Sequence, residues 1–261
     1  MSSSRENRAT RSNIDKSRIF ASGANMHVYK GVYTRGERSG EECVSKVFKT
    51  GSVFENAFFA AELKVVDEAR SIIETFNAQR ILSNSTILVN IPEVWEFTYT
   101  KEKNLVEPFI QNFQKFNSNT GWTPRNADPW MEVMQALSHY SYHITNGRLL
   151  LCDLQGGIYQ DGFILTDPVI ISQERGEYGP TDLGEAGMAT FFSRHKCNQF
   201  CSKRGWSRPQ NVKAHFAAQQ GTSMELVVPT RYTRAPLSRR QPQYNPPIQE
   251  EYSSSDSDSY Y

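Results

Sequence analysis

His195-Lys196-Cys197-Asn198-Gln199-Phe200-Cys201 gathers one imidazole and two thiols into seven residues, and it follows two aspartate-bearing turns, Asp153-Leu154-Gln155-Gly156 and Leu165-Thr166-Asp167-Pro168. Cys197 and Cys201 are four apart, so on a helix both thiols face one side. His195 is only two residues before Cys197, about 200° round a helix, so it must come from the turn in front. Tetrahedral zinc needs a fourth donor: His139 is the best candidate, and His143 is its neighbouring competitor. An isolated C-x-x-x-C pair equally describes buried reduced thiols; the histidine directly in front and a spare one upstream favour zinc. A closed shell of two histidines and two cysteines leaves no position for water, so the metal's role is structural and a zinc hydrolase is excluded.

The upstream turns carry different chemistry. Asp153 ends the buried run Leu149-Leu150-Leu151-Cys152, and Asp167 ends a second apolar segment. Two carboxylates at adjacent strand ends, with the Gln155 amide beside the first, offer hard oxygen ligands to magnesium. Phosphoryl transfer asks for little more than positioning, cationic neutralisation and a carboxylate near the attacking hydroxyl. Lys46, among Val44, Val47 and Phe48, supplies a fixed positive charge that is costly to bury unpaired, with Glu62 as a partner. Taken singly, Asp153 and Asp167 read better as loop-capping residues and Lys46 as a snorkelling one. Their order along the chain (strand lysine, helix acid, Asp-x-Gln, second Asp) favours function.

Working outward, residues 1–16 are Ser-, Arg- and Asn-rich and read as disordered. Val28 to Tyr33 and Cys43 to Phe48 read as strands, as do Ile87 to Val89, Ile91 to Phe97 and Leu105 to Ile110. Phe59, Leu63, Val66, Ala69, Ile72, Ile73 and Phe76 recur at three and four, which predicts an amphipathic helix. Trp130 to Tyr142 and a segment after Gly179 are further helices, with a polar turn at 117–121. Beyond residue 221, five prolines and an acidic Ser-rich end predict a flexible tail over 221–261. The ordered domain therefore spans 17–220: a strand-rich N-lobe of about 17–108 with one long helix, and a more helical, zinc-stabilised C-lobe of about 109–220. A crevice between them is the natural place for a ligand.

With 261 residues and a formal net charge of +1, nothing draws the chain to nucleic acid or a membrane surface. Its apolar runs are far shorter than the roughly 18 residues of a membrane span, and its start lacks a secretory apolar run. Four cysteines, with Cys43 and Cys152 inside apolar runs, indicate a reducing, cytoplasmic compartment.

These residues resemble the alpha-kinase family, the atypical protein kinases. The resemblance runs from about Phe20 to Cys201 and is carried by Leu151 to Gly156, Leu165 to Pro168, Thr181-Asp182-Leu183-Gly184-Glu185-Ala186-Gly187, and His195 to Cys201. Val106 to Phe109 and Lys115-Phe116-Asn117-Ser118-Asn119 support it. It implies a bilobed α+β kinase-like fold, ATP, Mg2+, a structural Zn2+ and a protein substrate with a Ser or Thr acceptor. It assigns Lys46 to the α- and β-phosphates, the Glu107 segment with Phe109 to adenine, and the turn at Gly23 to covering the phosphates. Asp153 becomes the acid/base or nucleophile-orienting carboxylate, Gln155 and Asp167 the magnesium ligands, and His139, His195, Cys197 and Cys201 the zinc ligands. The Gly179–Gly187 turn resembles the family's glycine-rich loop, connected with peptide substrate. Met26 stands where the family commonly has arginine and Glu62 where it has aspartate, and the 157–164 loop is longer. The alternative of another class is a catalytically weak pseudokinase serving as an interaction module, which ATP titration distinguishes.

Overall fold

The computed structural model describes residues 3–23, 25–50, 59–82, 84–98, 100–125, 129–210, 212–221, 225–226 and 251–254. The chain begins β1 (Ser4–Glu6), β2 (Ala9–Ile14), β3 (Ala21–Ser22), β4 (Met26–Gly36), β5 (Glu42–Phe48) and α1 (Ala60–Ala78). Then come β6 (Thr86–Ile91), β7 (Glu93–Phe97), β8 (Lys103–Pro108), β9 (Gln114–Lys115) and α2 (Pro129–Ile144). It ends with β10 (Leu149–Cys152), β11 (Gln155–Tyr159), β12 (Gly162–Thr166), β13 (Val169–Ser172), α3 (Gly184–Arg194), β14 (Glu225–Leu226) and β15 (Glu251–Ser254).

Two compact units result. One comprises Arg8–Phe54, Glu93–Phe109 and Met224–Tyr261; the other Met1–Asn7, Glu55–Pro92 and Ile110–Ser223. The first is an eight-stranded sheet in the order β14-β3-β4-β2-β15-β7-β8-β5, and β5 also pairs with β4, so six strands close on themselves. Strand alternation fills its interior with Ala9, Ile14, Tyr33, Cys43, Trp95, Phe97 and Val106. Burial pushes the Cys43 thiol up to about 12, so it stays an unreactive thiol.

The second unit contains a five-stranded sheet, β1-β6-β12-β11-β9, and the β10–β13 ladder. Helix α1 buries Val65, Val66, Ala69, Ile72, Ile73 and Phe76, the stripe expected from its spacing. Phe76 meets Tyr140 of α2 edge-on at 5.3 Å. Burying one such side chain contributes about 1.5–3 kcal/mol, so this stripe alone fixes α1 against β6 and α2. Pro129 opens α2 at the first helical position, where its missing N–H costs nothing. Gly147, at φ +80°, lies just past its end.

Four expectations need correction. Of residues 1–16, those described (3–16) are not disordered: β1 pairs parallel to β6, Ser4 opposite Val89, and β2 pairs antiparallel to β4 and β15. Strand pairing uses main-chain groups from distant segments, so a polar edge strand leaves little trace in composition. The long helix α1 belongs to the second unit rather than to the strand-rich one, because its apolar stripe meets β6 and α2. The 157–164 stretch is no long loop but the tight hairpin β11–β12, Tyr159 opposite Gly162. The tail contributes β14 against β3 and β15 between β2 and β7; the rest of 227–261 lies outside the described residues. Among the described residues, no helix is long and apolar enough to cross a membrane.

Candidate active site

Register brings the two aspartates together. Cys152 pairs with Val169 on one ladder and Gln155 pairs with Thr166 on another, so Asp153 and Asp167 both lie where the chain crosses between ladders. The crossover is sharp enough to put both in the left-handed region, at φ +56° and +46°, which short polar side chains tolerate best. Gly156 follows at φ +154°, where a Cβ would collide with the Ile164 carbonyl.

Lys115, which the sequence reading had not placed in the site, holds Asp153 with its ammonium 3.0 Å from both carboxylate oxygens. It comes from β9, which pairs with β11 so that Lys115 faces Gln155. The signal was Lys115-Phe116-Asn117-Ser118-Asn119, read only as a supporting match. Phe116 N–H donates to the Leu154 carbonyl at 2.8 Å, and Asn117 Oδ1 accepts Leu154 N–H at 2.9 Å, clamping the loop. Burial pushes the Asp153 carboxyl above the usual range, while Lys115 and the Asn119 N–H pull it down and Asp167 raises it again.

The residues fit a hard divalent cation. Gln155 Nε2 donates to the Asp167 carbonyl at 3.3 Å, and Gln155 Oε1 is buried with no hydrogen-bond partner among the described residues. A buried oxygen without a partner, on a residue two along from Asp153 whose amide bonds the Asp167 main chain, suits magnesium.

In the other unit Lys46 is 1 % exposed and pairs with Glu107 at 2.9 Å, within the β5–β8 ladder. Glu62, proposed as its partner, lies in the first turn of α1 in the second unit. Phe109 packs edge-on against Phe20 at 5.7 Å, beside Ala21, Val28 and Val44. Gly23 leads into β4, and a Cβ added there meets nothing within 4 Å, so the turn leaves its outer face open. Lys49 Nζ donates to the Gly23 carbonyl at 2.6 Å, putting a cation at this turn near Met26, again unforeseen. Lys30 pairs with Glu42 at 2.7 Å. Ala24 lies outside the described residues.

The thiol and imidazole groups converge as a separate cluster. Ligand atoms of His139, His195, Cys197 and Cys201 all lie within 4.8 Å of one another. His195 Nε2 is 3.2 Å from His139 Nδ1; Cys197 Sγ is 3.6 Å from His139 Nδ1 and 3.8 Å from His195 Nε2; Cys201 Sγ is 3.9 Å from His195 Nε2. A tetrahedron with zinc–ligand bonds of about 2.0–2.3 Å has edges of about 3.3–3.8 Å, so the donor set fits that ion. His139 Nε2 lies 3.1 Å from the Ser207 carbonyl, which only accepts, so Nε2 carries the proton and Nδ1 turns its lone pair to the cluster. His143 instead contacts Ser207 and stacks on Trp206. Burial pulls the His195 imidazole down to about 4 and pushes the Cys201 thiol up to about 11. The cysteines sit in turns beyond α3 rather than on one helix, so convergence comes from the backbone reversal after His195, not from helical spacing.

A strand-rich N-terminal part, helices later and two compact units define an α+β domain. The chain belongs to the alpha-kinase family, which it matches over residues 21–201. It is 32% identical over 199 residues to alpha-protein kinase vwkA of Dictyostelium discoideum, covering 73% of this chain and 31% of that protein. It is 41% identical over 133 residues to human transient receptor potential cation channel subfamily M member 6, covering 46% of this chain and 6% of that one. The chain thus spans about a third or less of the length of these relatives. In fold it is similar to an alpha kinase from Entamoeba histolytica, with TM-score 0.65, 22% identity and coverage of 82% and 85%. It is likewise similar to an inactive alpha-kinase domain of myosin-II heavy chain kinase A complexed with ATP, with TM-score 0.61, 19% identity and coverage of 76% and 98%.

Proposed function

We propose that this chain is an ATP-dependent serine/threonine protein kinase, transferring the γ-phosphoryl group of Mg-ATP to a protein hydroxyl, and braced by a structural zinc. The observation that carries the reading is Asp153 gripped by Lys115 beside Asp167 and the orphaned Gln155 oxygen. In this reading Asp153 orients the acceptor hydroxyl and takes its proton as the oxygen bonds to phosphorus and the bond to the ADP oxygen breaks. Burial raises the basicity of Asp153, and the Lys115 ammonium opposes that shift. Gln155 and Asp167 would hold magnesium, which neutralises phosphate charge when bound. Lys46, fixed by Glu107, takes the α- and β-phosphates, while Phe109 with the Glu107 segment receives the adenine and Gly23 lies over the phosphates. The Gly179–Gly187 turn receives the acceptor peptide. His139, His195, Cys197 and Cys201 hold zinc, and the free thiols suit a reducing cytoplasm.

Labelled ATP with magnesium and a threonine-bearing basic peptide is expected to give transfer that Asp167→Ala abolishes. Full activity in that variant removes the assignment.

A further inference from the structure

Between β13 and α3 the chain makes a loop, Gln173–Leu183, whose residues 173–177 are exposed and which encloses one buried carboxylate. Asp182 is 1 % exposed, and four donors converge on it. Oδ1 accepts Ser172 N–H and Gly184 N–H, each at 3.0 Å; Oδ2 accepts the Ser172 hydroxyl at 2.8 Å and Tyr178 N–H at 3.2 Å. One side chain therefore ties the last residue of β13, the middle of the loop and the first residue of α3. No lysine or arginine contributes to these four bonds, so the carboxylate serves as a geometric hub rather than half of an ion pair.

The same loop is fastened to the reacting centre. Asn119 donates its backbone N–H to the Asp153 carboxylate, and its side-chain Nδ2 donates to the Thr181 carbonyl at 3.0 Å. Thr181 immediately precedes Asp182, so the loop's position is linked to Asp153 through a single residue. On the phosphotransfer reading above, we infer that Asp182 is a positioning residue: it holds the 173–183 loop, and with it the Gly179–Gly187 turn, beside Asp153 so that the turn presents the acceptor peptide. It touches neither substrate nor nucleotide.

Asp182→Asn in the full chain tests this. An amide cannot accept from all four donors; with its NH2 toward the Oδ2 position, the Ser172 hydroxyl can turn to accept but Tyr178 N–H loses its acceptor. The expected result is a rise of about tenfold in KM for the acceptor peptide, with KM for ATP changed by less than about twofold and faster exchange of the Tyr178 amide. An unchanged peptide KM in the folded variant, or both KM values rising together, overturns the inference. If Asp182→Asn does not fold, Ser172→Ala removes one donor and is expected to raise peptide KM about threefold; no rise overturns it equally. Should the unaltered protein transfer no phosphate, the kinase reading falls by itself. The Tyr178 exchange rate then decides whether Asp182 fixes the loop, and an unchanged rate overturns that.

Discussion

Asp153 sits between opposing pulls: burial favours its neutral form, and Lys115 with the Asn119 N–H favours its anion. Its carboxyl lies above the usual range, so the favourable contribution of its protonated form is complete below the unfolded value and is lost as pH rises through the folded one. Catalysis runs the other way, because only the anion takes a proton. Removing the Lys115 charge raises the carboxyl further, so Lys115→Met is expected to move the acid limb of the kcat/KM profile to higher pH. A pH–rate profile with an unmoved limb would show that Asp153 is not the titrating base. Lys46 and Glu107 are a different case. Both are almost wholly buried, so deleting one leaves the other charge without its ion partner and costs about 3–5 kcal/mol of stability. For that reason half-exposed Asp167 is the cleaner position for a test of activity.

At the scale of elements, the His139–His195–Cys197–Cys201 cluster joins the middle of α2 to the end of α3 and the turns beyond it. Phe192 and Trp206 flank His139 at 5.3 and 5.6 Å, but polar ligand atoms facing one another without a cation give little cohesion. A strong chelator at neutral pH is therefore expected to lower the melting midpoint by at least about 5 °C, read by a thermal scan with added zinc restoring it. A metal-free preparation that melts unchanged removes the zinc assignment. His139 was legible in the sequence because it lies on a strongly periodic helix near the acid-bearing strand. The contrast with His143 was not, since four residues along a helix leaves both on nearly one face and only the Ser207–Trp206 segment separates their roles.

For the molecule as a whole, the N-terminal segment contributes more than its composition indicates. β1 covers the edge of β6, whose Ile87 and Val89 are fully buried, and Asn77 of α1 bonds both Ser3 and Ile87. Deleting residues 1–7 uncovers that edge and is expected to lower the melting midpoint by about 5 °C. An unchanged midpoint would mean that β1 adds nothing to the sheet. The same non-local logic explains the division of the chain. The α1 stripe was readable from its period, but its partners β6 and α2 belong to a later part of the sequence than the strands α1 follows.

Local patterns settled by themselves what depends on near neighbours: α1 and α2 from their apolar spacing, and β5 and β10 from their runs. Only the folded chain decided which distant groups meet. Lys115 reaches Asp153 through β9–β11 pairing, Lys46 reaches Glu107 through β5–β8, and residues 4–6 and 9–14 become strands by pairing with segments far away. The reason is physical: periodicity records which face a residue turns to the interior, whereas ladder register, which sets the partner, is fixed by main-chain groups common to every residue.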